Sequence, residues 1–133
     1  MDASAIVRVG VILAAADSGA LARFYSDALG FEVEAVYEDP AYVTLTRNGM
    51  RLSIAEQGHP AGDLPDVVMT VPARRDRPGA VLVIETDDCE GLRERVLARG
   101  AVAASDVHRP EWGGARCFVR DPEGTLIELE QPA

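Results

Sequence analysis

The stretch Phe118-Val119-Arg120-Asp121-Pro122-Glu123-Gly124-Thr125-Leu126-Ile127-Glu128-Leu129 decides how the chain is read. Two short runs of alternating apolar and polar residues flank a four-residue turn. Asp at its first position, Pro at its second and Gly at its fourth specify a type I turn, with the glycine supplying a bulge. The flanking runs, Arg116–Arg120 and Thr125–Glu130, are therefore strands of one hairpin. The bulge sets which side chains share a face, because a one-residue slip reverses every one of them. With it, Arg116 and Phe118 lie on the face of Glu128; without it, Cys117 and Val119 do. The bulged register is the expected one.

Working backwards, Val81–Thr86 is strand-like, Asp87 and Asp88 offer helix caps, and Leu92, Val96 and Leu97 form a helical stripe that Gly100 closes. A strand is expected near Ala101–Val107. The same order stands earlier in the chain. Ile6–Leu13 alternates as a strand, and Asp17 and Ser18 cap a helix with a stripe at Leu21, Phe24, Tyr25 and Ala28, ended by Gly30. Phe31–Tyr37 is a strand that Glu38-Asp39-Pro40 turns, and Tyr42–Thr46 pairs with Arg51–Ala55 across Asn48-Gly49. Leu21, Gly30 and Gly49 precede their counterparts Leu92, Gly100 and Gly124 by 71, 70 and 75 residues, a single internal period. The chain is thus expected to be one α+β domain of two βαβββ modules, residues 4–57 and 80–133. A Gly- and Pro-rich joint over 58–79 links them, with a short strand near Val67–Val71. A single module leaves one sheet face bare, so the modules are expected to form a curved, mostly antiparallel eight-stranded sheet around a cleft, and to pair further into a homodimer.

Composition excludes several kinds of chemistry. Of 133 residues, 13 are basic and 22 acidic, a formal charge of −9, and every basic residue is arginine. Without lysine there is no Schiff-base or P-loop lysine. The acidic balance argues against nucleic acid and anionic membranes as partners. No apolar run reaches membrane-spanning length, and the first ten residues lack the features of a signal peptide. Cys89 and Cys117 read as two isolated thiols, not a disulfide framework, and a cytoplasmic location is expected.

Three motifs carry a resemblance: Asp17 with Phe24-Tyr25 and Leu29-Gly30-Phe31; Trp112-Gly113; and the hairpin stretch Phe118–Leu129. Together they resemble the vicinal oxygen chelate superfamily, which includes glyoxalase I, extradiol dioxygenases, fosfomycin-resistance enzymes and bleomycin-resistance proteins. The resemblance spans nearly the whole chain and implies the paired-module fold. In the enzymatic members each module supplies two His or Glu ligands to one divalent ion. The corresponding positions here are Gly10, Ser53, Val81 and Glu128, so one of four is a competent donor. A single carboxylate does not hold a catalytic metal. His59, in the joint, and His108, before the last hairpin, do not repair the set. The resemblance therefore implies the metal-free, drug-binding branch, with no cofactor and no catalytic residue.

Strand alternation places Arg8, Gly10, Ile12, Tyr42, Thr44, Arg51, Ser53 and Ala55 on the open face of the first module. It places Val81, Val83, Glu85, Arg116, Phe118 and Glu128 on that of the second. The candidate ligand-binding residues are Tyr42, Thr44, Ser53, Trp112, Arg116, Phe118 and Glu128. Tyr42, Trp112 and Phe118 suit stacking on planar ligands, Glu128 favours a cationic one, and Arg116 suits a ligand carboxylate. Each has a plainer alternative. Glu128 belongs to the hairpin motif and can pair with Arg116, which can equally pair with Glu130; Trp112 can cover a sheet edge. Phe24, Tyr25 and Leu29 read as core, Arg74–Arg77 as a solvated loop, Cys117 as a small buried hydrophobe, and Asp121 and Gly124 as turn geometry. The function expected is non-enzymatic binding of an aromatic or cationic, antibiotic-like molecule. The alternative is a glyoxalase- or dioxygenase-like enzyme with an atypical or absent metal site.

Overall fold

The computed structural model describes residues 4–133, which divide into two compact units, one ending at Val71 and the other starting at Pro72. The first unit contains β1 (Val9–Ala15), α1 (Ser18–Leu29), β2 (Glu32–Tyr37), β3 (Tyr42–Arg47) and β4 (Met50–Glu56). Its sheet has the order β1-β4-β3-β2, with β1 parallel to β4 and the other pairings antiparallel. Asp17 caps α1, its side chain accepting from the Ala20 N–H at 3.0 Å. Gly30 ends the helix in the left-handed conformation, φ 71°. The helix stripe lies against the sheet, so Leu21, Tyr25, Leu45, Leu52 and Ile54 are fully buried. Phe24, Tyr25 and Phe31 meet edge to face. Asn48 and Gly49 both take positive φ, as the tight turn expected there requires. β1 begins at Val9, not Ile6, because the ladder with β4 begins there; Ile6 and Val7 precede it in open solvent, Val7 at 96% exposure.

The second unit contains β5 (Leu82–Glu85), α2 (Cys89–Ala98), β6 (Val102–Ala103), β7 (Ala115–Arg120) and β8 (Leu126–Gln131). Its sheet repeats the first topology, β5-β8-β7-β6, with β5 and β8 parallel. Asp88 caps α2 through the Gly91 N–H at 2.9 Å. The decisive turn closes as expected: the Gly124 N–H bonds to the Asp121 carbonyl at 2.9 Å, and Gly124 has φ 92°. Register follows the bulge, with Phe118 opposite Glu128 and Arg116 opposite Glu130. The α+β class and both βαβββ modules are present, the eight strands falling into two four-stranded mixed sheets.

Three expectations need correction. The strand near Ala101–Val107 is only Val102–Ala103. Beyond it the N–H groups of Ala104 and Ser105 share the Phe118 carbonyl, while the Ser105 hydroxyl accepts from the Phe118 N–H, so a side chain replaces the ladder. Near Val67–Val71 there is no strand, but a single bridge between Pro60 and Val68 flanked by bonds from the Met69 N–H to the His59 carbonyl and from the Gly58 N–H to the Met69 carbonyl. The cysteines are not isolated: the Cys89 and Cys117 sulfurs lie 3.6 Å apart, both buried as free thiols.

Candidate functional site

In the first unit, pairing of Gly10 with Arg51, Ile12 with Ser53, Thr44 with Ser53 and Tyr42 with Ala55 places these residues on the face opposite α1, as alternation demanded. A cavity of about 410 Å³ opens there, lined by Arg8, Gly10, Ile12, Tyr42, Arg51 and Ser53 among others. Tyr42 and Ser53 thus come together. Thr44 shares the face but is 2% exposed and lies off the cavity wall. Arg8, just before β1, binds Glu34 of β2 at 2.7 Å. Since β1 and β2 are the two edges of the sheet, this ion pair spans the unit from edge to edge.

The Tyr42 ring has two neighbours, Tyr37 at 6.3 Å and His59 at 5.2 Å between centroids. The His59 contact was not legible in the sequence, because His59 lies in the aperiodic joint. Its Nδ1 is 2.9 Å from the Pro60 carbonyl oxygen, which only accepts, so in this bond Nδ1 carries the proton. In the neutral ring Nε2 is then the acceptor.

In the second unit, Val83, Glu128 and Phe118 form one cross-strand row, and Glu85, Glu130 and Arg116 the next. Phe118 and Glu128 therefore adjoin, both half-buried. Arg116 is exposed, and among the described residues it makes no ion pair with Glu128 or Glu130. Trp112 sits in the turn from Pro110 to Gly113, 62% exposed, which does not fit the edge-covering alternative. A second hollow of about 400 Å³ is lined by Glu85, Thr86, Asp87, Gln131 and Pro132, none of them an expected site residue. In the Arg74–Arg77 loop, Arg74 pairs with Asp76 at 2.7 Å and holds that carboxyl below its ordinary range, both side chains in solvent.

The donor set does not suit a divalent metal. Among the described residues no three His, Cys, Asp or Glu side chains are grouped to hold one. At position 10 no donor side chain fits: a Cβ there would lie 2.6 Å from the Arg51 carbonyl oxygen, far inside normal contact. Ser53 is neutral, and Val81 has no donor atom.

Fold and site together define a class: twin βαβββ modules with, among the described residues, no set of metal donors. The sequence matches the glyoxalase-like domain family over residues 10–129, so the chain belongs to that family, within the vicinal oxygen chelate superfamily. A glyoxalase-related enzyme from Fulvimarina pelagi is 27% identical, with a TM-score of 0.72 over 96% of this chain and 88% of that one. Lactoylglutathione lyase from Agrobacterium tumefaciens is 20% identical, with a TM-score of 0.70 over 98% and 95%. An integron cassette protein from the mobile metagenome of V. cholerae is 18% identical, with a TM-score of 0.69 over 100% and 99%. At the last two identities the likeness shows the fold alone. No curated protein matches significantly.

Proposed function

We propose that the protein binds a small organic molecule in the cavity on the first module's sheet face and holds it without a metal ion, in the manner of a sequestering protein. The observation that carries this is the first-unit cavity. It joins an aromatic ring, a hydroxyl and a guanidinium in about 410 Å³, a size suited to a compact ligand, at the face where position 10 has no room for a donor. Tyr42 supplies the stacking surface and Ser53 the hydrogen bond. Phe118 beside Glu128 offers a second aromatic and polar pair on the other module. The reading includes assembly as a homodimer and a cytoplasmic location, which two free buried thiols suit.

A second reading, metal-free acid–base catalysis, is favoured by one contact, His59 against Tyr42. One set of experiments separates the two. A thermal-shift screen with planar and antibiotic-like compounds is expected to find ligands that raise Tm and are recovered chemically unchanged. Turnover of a carbonyl substrate that is lost in His59→Gln would install the catalytic reading instead. Stoichiometric tightly bound Ni, Zn, Mn or Fe in the purified protein would sink the metal-free one.

A further inference from the structure

The charge of the first-unit cavity runs against that of the protein. The chain carries a formal −9, yet among the described residues the charged ones on this cavity wall are Arg8 and Arg51, with no carboxylate beside them in its lining. The two arginines are not equivalent. Arg8 is balanced by Glu34 at 2.7 Å, whereas Arg51 makes no ion pair among the described residues. The wall therefore holds one unbalanced guanidinium. Arg51 stands opposite Gly10 on β1 and Thr46 on β3, so neither cross-strand neighbour on this face offers it a negative charge. Glycine at position 10 places no side chain beside it.

We infer that this cavity selects a small planar acid, an aromatic or conjugated carboxylate, with Arg51 pairing its carboxylate and Tyr42 stacking on its ring system. This rests on the small-molecule reading above and replaces the cationic ligand expected from Glu128, which lies in the other unit. Arginine suits the task because its planar fork meets both carboxylate oxygens at once. Ser53, buried at the floor of the same wall, has a hydroxyl that can donate to an oxygen on the ring. The Arg8–Glu34 pair gives the site a second cation already neutralised, so an incoming monoanion meets one net positive charge.

The test compares three probes of one shape and three charges: 2-naphthoate, 2-naphthamide and 2-naphthylmethylammonium. Each is titrated into the intact wild-type protein and into Arg51→Gln, with binding followed by backbone amide NMR shifts. Arg51 is solvent-exposed, so naphthoate is expected to bind roughly three- to fivefold more tightly than the amide. The shifts should centre on Gly10–Ile12, Tyr42 and Arg51–Ser53, and the preference should collapse in Arg51→Gln with the fold unchanged. An acid that binds no better than the amide or the ammonium overturns the charge assignment and leaves the small-molecule reading standing. A preference that survives Arg51→Gln overturns it as well. If none of the three probes shifts those residues at millimolar concentration while the wider screen finds ligands elsewhere, the assignment to this cavity fails; if the screen too is empty, the binding reading fails with it.

Discussion

Gly10 shows how one residue excludes a chemistry that its neighbours permit. Its Cα faces the Arg51 carbonyl so closely that a Cβ would stand 2.6 Å from that oxygen. Restoring a histidine there is therefore expected to strain the β1–β4 ladder instead of completing a metal site. Gly10→His should cost about 1–3 kcal/mol, the usual range for overpacking, in urea unfolding. It should gain no Zn or Ni binding by calorimetry; a variant as stable as the parent that takes up metal stoichiometrically would refute this. The sequence revealed only the missing donor, since the steric block depends on the distance between two strands far apart in the chain. His59 was hidden for a related reason: no periodicity runs through the joint to say which ring it meets. Cys117 makes a second case. Burial, reinforced by the neighbouring Cys89 thiol, pushes its thiol up to about 12 from an ordinary 9.0. A group whose pKa is raised by folding stabilises fully below its unfolded pKa and loses that contribution as pH rises through the folded one. Stability should therefore fall between about pH 9 and pH 12, by of order 1 kcal/mol one pH unit above the unfolded value. Cys117→Ala should show a shallower loss than wild type in matched urea melts at about pH 7.5 and pH 10. Parallel curves would refute the assignment.

Elements were legible in the sequence wherever a local signal specified them. Asp17 and Asp88 cap the helices, Asn48-Gly49 and Asp121–Gly124 form the hairpin turns, and the bulge at Gly124 places Phe118 beside Glu128. The strand after α2 was overread because apolar residues at Ala101–Val107 allow a longer ladder, which the Ser105 hydroxyl interrupts by taking the Phe118 N–H. The Asp121 turn carries the sharpest test at this scale. Its carboxylate accepts from the Glu123 and Thr125 N–H groups, both at 2.9 Å, and is 2% exposed. Asp121→Ala leaves two turn donors without that acceptor and is expected to cost about 2–4 kcal/mol, more than an exposed cap. Gly124→Ala, forced to positive φ, should cost about 1 kcal/mol or more. Chemical denaturation reads both, and a loss under 0.5 kcal/mol for Asp121→Ala would mean that the turn does not depend on its side chain.

At the scale of the whole molecule, repetition was legible from three matched landmarks, and the repeated strand order bears it out. What the outer strands could pair with was not, because pairing between copies would leave no local signal. β1 and β5 are each a sheet edge. The run into β1 is apolar and bare, with Ile6, Val7 and Val9 at 83%, 96% and 69% exposure. Open apolar edges invite strand or surface pairing with a second copy. Two copies of a chain with a formal charge of −9 also repel each other. Self-association through this edge must therefore gain from apolar burial what it loses to like charge, which gives it a characteristic salt response. An interface held by ion pairs weakens as salt rises; an apolar one between two acidic chains tightens, because screening removes the repulsion and leaves the burial. Light scattering on the intact protein is expected to give twice the chain mass of 14.2 kDa. The dimer dissociation constant should fall several-fold between about 20 mM and 0.3 M NaCl, where the Debye length shrinks below 10 Å. Val7→Arg together with Val9→Arg should raise that constant at least tenfold, with each protomer's melting cooperativity retained. A monomer at every salt concentration would remove the homodimer from the reading, and a dimer that loosens with salt would move its interface to the charged surface.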